Sequence, residues 1–125
     1  MEENSVCCGE GAKTLVVACS GGSNVGQVAN NVMLELDKKG IGTSYCLAGV
    51  GAGLSGFVES ARAARMVLID GCPVGCGRKV FEKYNIKPFA YFIVTELGIE
   101  KNHNFQNVAA ESEAVIGQVA QELSR

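Results

Sequence analysis

Two cysteines mark the segment of the chain whose residue types point most directly to chemistry. Cys72 and Cys76 have three residues between them and lie in a loop rich in glycine and proline. The apolar run 66–69 and Asp70 precede this loop, and an amphipathic stretch starts at Cys76. This order predicts a buried strand, a tight loop and a helix N-terminus, where backbone N–H groups and the helix dipole favour thiolate over thiol. A thiolate can serve as a metal ligand or as a nucleophile.

The redox compartment decides how the other cysteines are interpreted. The chain has six cysteines in 125 residues, and the remaining four are Cys7, Cys8, Cys19 and Cys46. The first residues, 1–5, are acidic and polar, unlike a secretory signal, so we expect a cytoplasmic protein. In a reducing compartment such cysteines bind metal, take part in catalysis or pack in the core more often than they form disulfides.

The elements that must position these thiols follow from the hydrophobic pattern. Short apolar runs predict strands over 14–19, 43–48, 67–69 and 89–94, the second of which contains Cys46. Helical spacing predicts helices over 25–39, 55–64, 76–84 and 108–123. Candidate N-caps are Asn24, with Gln27 in the capping-box position, Ser55 and Asn107. Residues 1–12 lack periodicity and are expected to form a flexible arm before a single domain over 13–125.

Four strand-then-helix units predict an α/β fold. We expect a small three-layer doubly wound domain of the Rossmann or flavodoxin type, with a four-stranded, mainly parallel sheet in the order 2-1-3-4. In such sheets, ligands bind beyond the carboxyl ends of the strands. Glycine-rich residues 49–53 are expected to form a loop, and residues 95–107 a polar connection.

The predicted topology brings several thiols to one edge of the sheet. Cys19 ends the first strand, Cys46 lies near the end of the second, and Cys72 and Cys76 follow the third. Four thiolates match the tetrahedral coordination of Zn²⁺, and Cys8 on the arm could replace one ligand or cover the site. An iron–sulfur cluster is the alternative occupant. Simple core packing of Cys19 and Cys46, which lie in apolar runs, also stays open.

The chain resembles the DGC-domain family, which is described in terms of zinc binding and named for an Asp-Gly-Cys motif. That motif is Asp70-Gly71-Cys72 here, and similar segments are 19–21, 46–49 and 94–98. The resemblance spans most of the chain. It implies zinc-chelating cysteines, which are here Cys19, Cys46, Cys72 and Cys76, with Cys8 as a candidate. Gly22 stands where some relatives have a further cysteine, and the resemblance names no reaction.

A cysteine-dependent enzyme is the competing hypothesis. Cys72 and Arg78 form a C-x₅-R pattern, as in tyrosine phosphatases and arsenate reductases, where a thiolate and an arginine hold an oxyanion. Lys79 stands where those enzymes usually have serine or threonine, and no general-acid aspartate follows. A dithiol redox role for Cys72 and Cys76 is a further alternative. We favour a non-enzymatic role.

Bulk properties exclude some classes of partner. The net charge is −2 and the aromatic residues form no cluster, so we expect no nucleic acid partner. No apolar run approaches the roughly 20 residues of a membrane span, so we expect no membrane partner. His103 and Lys101 lie in a polar stretch and are expected to be solvated.

Overall fold

The computed structural model describes residues 12–125, which form a four-stranded parallel sheet. The strands are β1 (Thr14–Ala18), β2 (Thr43–Ser44), β3 (Arg65–Asp70) and β4 (Pro88–Ile93). Their order is β2-β1-β3-β4, so the predicted order is confirmed. The chain moves outward from β1 to β2 and from β3 to β4 in opposite directions, which makes the gap between β1 and β3 the topological switch point.

Helices cover both faces of the sheet. They are α1 (Asn24–Lys38), α2 (Leu47–Gly51), α3 (Ser55–Ala63), α4 (Cys76–Lys83) and α5 (Val108–Leu123), with a 3₁₀ turn over Val94–Leu97. Alternate residues of β1 enter two separate cores, because successive strand side chains point to opposite faces. Val16 packs with α1 and α5, whereas Val17 packs with α2, α3 and α4. The three-layer α/β architecture predicted from the sequence is therefore confirmed.

The second strand differs from its predicted span of 43–48. Only Thr43 and Ser44 pair with β1, and the chain then turns into α2, where a loop was expected. Cys46 is the N-cap of α2, and its Sγ accepts a hydrogen bond from the Gly49 N–H at 3.4 Å. The apolar run 46–48 thus begins a short helix, which hydrophobicity alone cannot distinguish from a strand.

Two predicted caps are displaced by one residue. The N-cap of α1 is Ser23, whose Oγ accepts from the Gly26 N–H at 3.3 Å, and Asn24 is the first helical residue. The N-cap of α3 is Leu54 rather than Ser55. Asn107 does precede α5, but its side chain makes no capping hydrogen bond.

The predicted arm, with Cys7 and Cys8, lies outside the described residues apart from residue 12. Within residues 12–125, no helix is long and apolar enough to cross a membrane.

Candidate functional site

The switch point between β1 and β3 carries the candidate site. Cys19 follows β1, and its N–H donates to the Ile69 carbonyl of β3 at 3.1 Å, so the ends of the two strands are joined directly. Cys72 follows β3, and Cys76 is the first residue of α4. All three cysteines line one open cavity of about 320 Å³, together with Lys101 and His103. The sequence predicted this convergence for three of its four strand-end cysteines.

Cys19 is partly buried at the end of β1. Its Sγ accepts a hydrogen bond from the Gly71 N–H at 3.2 Å, which ties the β1 loop to the β3 loop. Burial raises the pKa of the Cys19 thiol above its usual value, and the nearby acidic groups of Asp70 and Cys76 raise it further. Hydrogen bonds from the backbone of Gly21 and Gly71 act in the opposite direction and are outweighed. Without a bound cation, Cys19 is therefore a thiol at neutral pH.

Cys72 lies beside a positive charge. The Lys101 Nζ is 3.4 Å from the Cys72 Sγ and donates to it. Lys101 is exposed, as expected from the sequence, but its contact with a cysteine 29 residues away in sequence was not predicted. His103, two residues further on, lines the same cavity although its side chain is exposed, so the polar stretch 101–103 forms one wall of the site.

Asp70 holds the loop that carries Cys72 and Cys76. Its carboxylate is 1% exposed and accepts three hydrogen bonds. The donors are the Gly77 N–H at 2.9 Å, the Arg78 N–H at 3.1 Å and the Tyr91 hydroxyl at 2.7 Å. The charge thus lies at the N-terminus of α4, where the helix dipole favours an anion. Burial, and then the Asp70 carboxylate, raise the pKa of Tyr91 well above its ordinary value, so its hydroxyl remains a donor.

The same contacts argue against an oxyanion loop of the phosphatase type. That chemistry requires loop N–H groups and an arginine fork that are free to hold the anion. Here the N–H groups of Gly77 and Arg78 are occupied by Asp70, and the Arg78 guanidinium pairs with Glu82 at 3.1 Å. The sequence pattern C-x₅-R is present, but these two N–H groups and the guanidinium already contact carboxylates of the chain itself.

Close backbone packing explains the glycine of the Asp-Gly-Cys motif. A Cβ added to Gly71 would lie 2.8 Å from the backbone of Val25 and Gly26 at the start of α1. The β3–α4 loop can therefore approach α1 only with glycine at this position. On the other side of the cavity, Ser20 has a φ of 51°, a left-handed conformation that is unusual for a residue with a side chain.

The structure does not bring Cys46 to the cavity, because the chain has already entered α2 at that residue. Cys46 is exposed and caps α2 instead. Cys8 lies outside the described residues. Within residues 12–125, no three histidine, cysteine, aspartate or glutamate side chains are already grouped closely enough to hold a metal ion. The donor chemistry around the cavity nevertheless suits Zn²⁺, since three thiols and one imidazole line it.

The roles of three residues at this site were not predicted from the sequence. Lys101 contacts Cys72, and Asn24 accepts from the Asn102 N–H next to Lys101, both across long sequence separations; the sequence predicted only a solvated charge and a helix cap for them. Tyr91, which donates to Asp70, was assigned only to a strand. The strand pattern gives the element that carries Tyr91 but not its partner.

Comparisons with known proteins agree with the motifs found in the chain. Residues 15–119 match the DGC domain. The chain is also 36% identical over 100 residues to the anaerobic and virulence modulator AnvM of Pseudomonas aeruginosa, a match that covers 79% of this chain and 76% of that protein. No solved structure matches the chain. The matched segment contains Cys19, Cys46, Cys72 and Cys76, and the chain belongs to the DGC-domain family.

Proposed function

We propose that this chain is a zinc-binding protein whose metal ligands are the thiolates of Cys19, Cys72 and Cys76. The observation that carries the proposal is that these three cysteines, from two loops at the switch point, line a single cavity. Thiolate sulfur is a preferred ligand of Zn²⁺, and parallel sheets of this type bind ligands at this place. Binding requires the three side chains to turn toward a common centre.

The charges around the cavity support a thiolate site. Three thiolates on one Zn²⁺ leave one net negative charge, and Lys101 lies where it can compensate that charge. Occupation of the site must remove the proton of Cys19, because burial raises the pKa of that thiol. The fourth ligand is open: His103 lines the cavity, Cys8 belongs to the undescribed segment, and a water molecule would leave the site accessible for chemistry.

The relative suggests the kind of role that such a site would have. Its name describes a modulator and no catalysed reaction. We extend this to the present chain and propose a non-enzymatic, regulatory zinc-binding protein of the cytoplasm.

A competition titration of reduced, metal-free protein against a chromophoric zinc chelator tests the proposal. We expect wild type to bind about one zinc per chain, and Cys19→Ser, Cys72→Ser and Cys76→Ser each to weaken binding by at least about tenfold, since each removes a ligand. Cys46→Ser is the matched control, because its thiol lies outside the cavity lining, and its affinity should equal that of wild type. Unchanged zinc binding in both Cys19→Ser and Cys72→Ser would remove the proposal.

A dithiol redox protein is the second candidate, favoured by the ammonium group beside Cys72. The Lys101 Nζ lies 3.4 Å from the Cys72 Sγ, and Cys76 lines the same cavity, where it would serve as the resolving thiol. This candidate requires disulfide reductase turnover that Cys72→Ser abolishes and Cys46→Ser leaves intact. Equal sensitivity to both substitutions would argue against a single nucleophile.

A further inference from the structure

Asn24 is a fully buried polar residue at the first position of α1 that makes four hydrogen bonds. Its Nδ2 donates to the Glu100 carbonyl at 2.9 Å and to the Glu111 Oε1 at 3.2 Å. Its Oδ1 accepts from the Asn102 N–H at 2.6 Å, and its own N–H donates to the Asn102 carbonyl at 3.0 Å. Every polar atom of the side chain is therefore satisfied, and three of the four bonds reach the segment 100–102.

The segment 100–106 has little else to hold it. All seven of its residues are exposed, and its one large apolar side chain, Phe105, is 49% exposed. Its internal hydrogen bonds are local turns, in which Asn102 accepts from the Asn104 N–H and Asn104 from the Gln106 N–H. Among residues 12–125, the groups that join it by hydrogen bonds to the body of the domain are Asn24, Cys72 and the Val108 N–H at the start of α5, which donates to the Phe105 carbonyl at 3.5 Å. The segment also carries Lys101 and His103, which form one wall of the cysteine cavity.

We infer that Asn24 is a positioning residue that clamps the segment 100–106 over the cysteine cavity and thereby holds the Lys101 ammonium against Cys72. Its bonds flank Lys101 on both sides, at Glu100 and at Asn102, so they fix the backbone from which the lysine side chain extends. Any effect of Asn24 on metal affinity rests on the proposed zinc site. The role of Asn24 in holding the segment 100–106 does not depend on that proposal.

A neighbouring asparagine provides a matched control. Asn31 lies on the same helix, and its Nδ2 donates to the Ser112 Oγ of α5 at 3.0 Å. Asn31→Ala therefore removes an α1–α5 hydrogen bond without touching the segment 100–106. Asn24→Ala removes bonds to that segment as well as the contact with Glu111.

The first test is amide hydrogen exchange in the metal-free protein. Asn24→Ala should speed exchange in residues 100–106 by about tenfold or more, because tenfold corresponds to about 1.4 kcal/mol, the size of one or two net hydrogen bonds. Asn31→Ala should leave exchange there unchanged. If Asn24→Ala fails to fold, Asn24→Ser, whose side chain is also too short to make the bonds to Glu100 and Glu111, should speed exchange in the segment as well. Unchanged exchange in a folded Asn24 variant would overturn the clamp.

The second test asks whether Asn24 acts through Lys101. The ¹³Cβ chemical shift of Cys72 responds to the charge beside its sulfur, and it requires no metal. We expect Lys101→Met to move this shift, Asn24→Ala to move it to the same value, and the double variant to move it no further. A Cys72 shift that stays at the wild-type value in Asn24→Ala, or in Lys101→Met, would overturn the positioning role.

Zinc titration of the same variants separates the two proposals. Asn24→Ala and Lys101→Met should weaken zinc binding non-additively, because residues that act through one contact are coupled. Wild type that binds no zinc would refute the proposed function, while the exchange and chemical-shift tests would still judge the clamp. Wild type that binds zinc with an affinity that Asn24→Ala leaves unchanged would refute the link between clamp and metal.

Discussion

Replacement of Asp70 by asparagine tests whether one buried carboxylate organises the cysteine loop. Asp70 accepts from Gly77 through one oxygen and from Arg78 and Tyr91 through the other. An asparagine keeps the size of the side chain but has only one acceptor oxygen. In its better orientation it retains the Arg78 and Tyr91 bonds and turns its NH₂ group toward the Gly77 N–H.

The magnitude follows from these three bonds. Loss of one hydrogen bond to a charged acceptor costs about 1.5–3 kcal/mol, and the two retained bonds weaken because the acceptor is no longer charged. Removal of the buried charge offsets part of this cost, because the folded state no longer desolvates a carboxylate. We therefore expect Asp70→Asn to lower the free energy of unfolding of the metal-free protein by about 2–4 kcal/mol. Tyr91→Phe removes only one donor and should cost about 1–2 kcal/mol.

Urea denaturation followed by circular dichroism measures this difference. With a denaturant slope of about 2 kcal/mol per molar, which is usual for a small domain, the midpoint should fall by about 1–2 M. Asp37→Asn is the control, since Asp37 also accepts two hydrogen bonds, from the Ser44 N–H and hydroxyl, but is solvent-exposed. Water can replace its partners, so a much smaller change is expected. A loss for Asp70→Asn no larger than for Asp37→Asn would refute the reasoning.

Further expectations concern packing and pH. Gly71→Ala should destabilise the domain by about 1–3 kcal/mol in urea denaturation, because its Cβ would press on the backbone of Val25 and Gly26. Gly117→Ala, in α5 with no atom within 4 Å of the added Cβ, should instead stabilise it by about 0.5–1 kcal/mol, and equal effects of the two would contradict the packing argument. Because burial raises the pKa of Cys19 above its value of 9.0 in the unfolded chain, the metal-free protein favours the protonated thiol. The contribution of Cys19 to the free energy of unfolding should be fully present below about pH 8 and should be lost as the pH rises past 9. The free energy of unfolding of Cys19→Ala should therefore fall less over this range. Identical pH profiles of the two proteins would exclude Cys19 as the cause.

The parallel α/β architecture, and the edge of the sheet at which the cysteines lie, were predictable because they depend on local signals. Four short apolar runs, each followed by helical spacing, indicate parallel strands with helices between them, and the site follows from the topology. Cys19 and Cys72 follow the two central strands, so their convergence was predicted on the condition that these strands are neighbours, which the structure shows. Asp70 and Gly71 were visible as a motif, although the reasons for them, a buried charge and a close backbone approach, required coordinates.

The remainder of the site depends on contacts that a single sequence does not encode locally. Asn24 and Asn102 are 78 residues apart, and Lys101 and Cys72 are 29 apart. No spacing rule connects them, because they meet only after α1, β3 and the connection to α5 have packed. Cys46 was wrongly predicted to lie within a strand because of an ambiguous local signal, not because of a long-range contact. Its local signal was an apolar run too short to distinguish a strand from a helix, and only the pairing with β1 shows where β2 ends.

The metal content of protein purified under reducing conditions without a histidine tag, measured by elemental analysis with an optical spectrum, tests the central proposal most directly. A thiolate zinc site predicts about one zinc per chain and no visible absorption, since Zn²⁺ is a closed-shell ion. Iron with a visible chromophore would contradict the zinc site and indicate a cluster protein. Protein without metal, with its thiols free to react, would contradict it as well and favour the redox candidate.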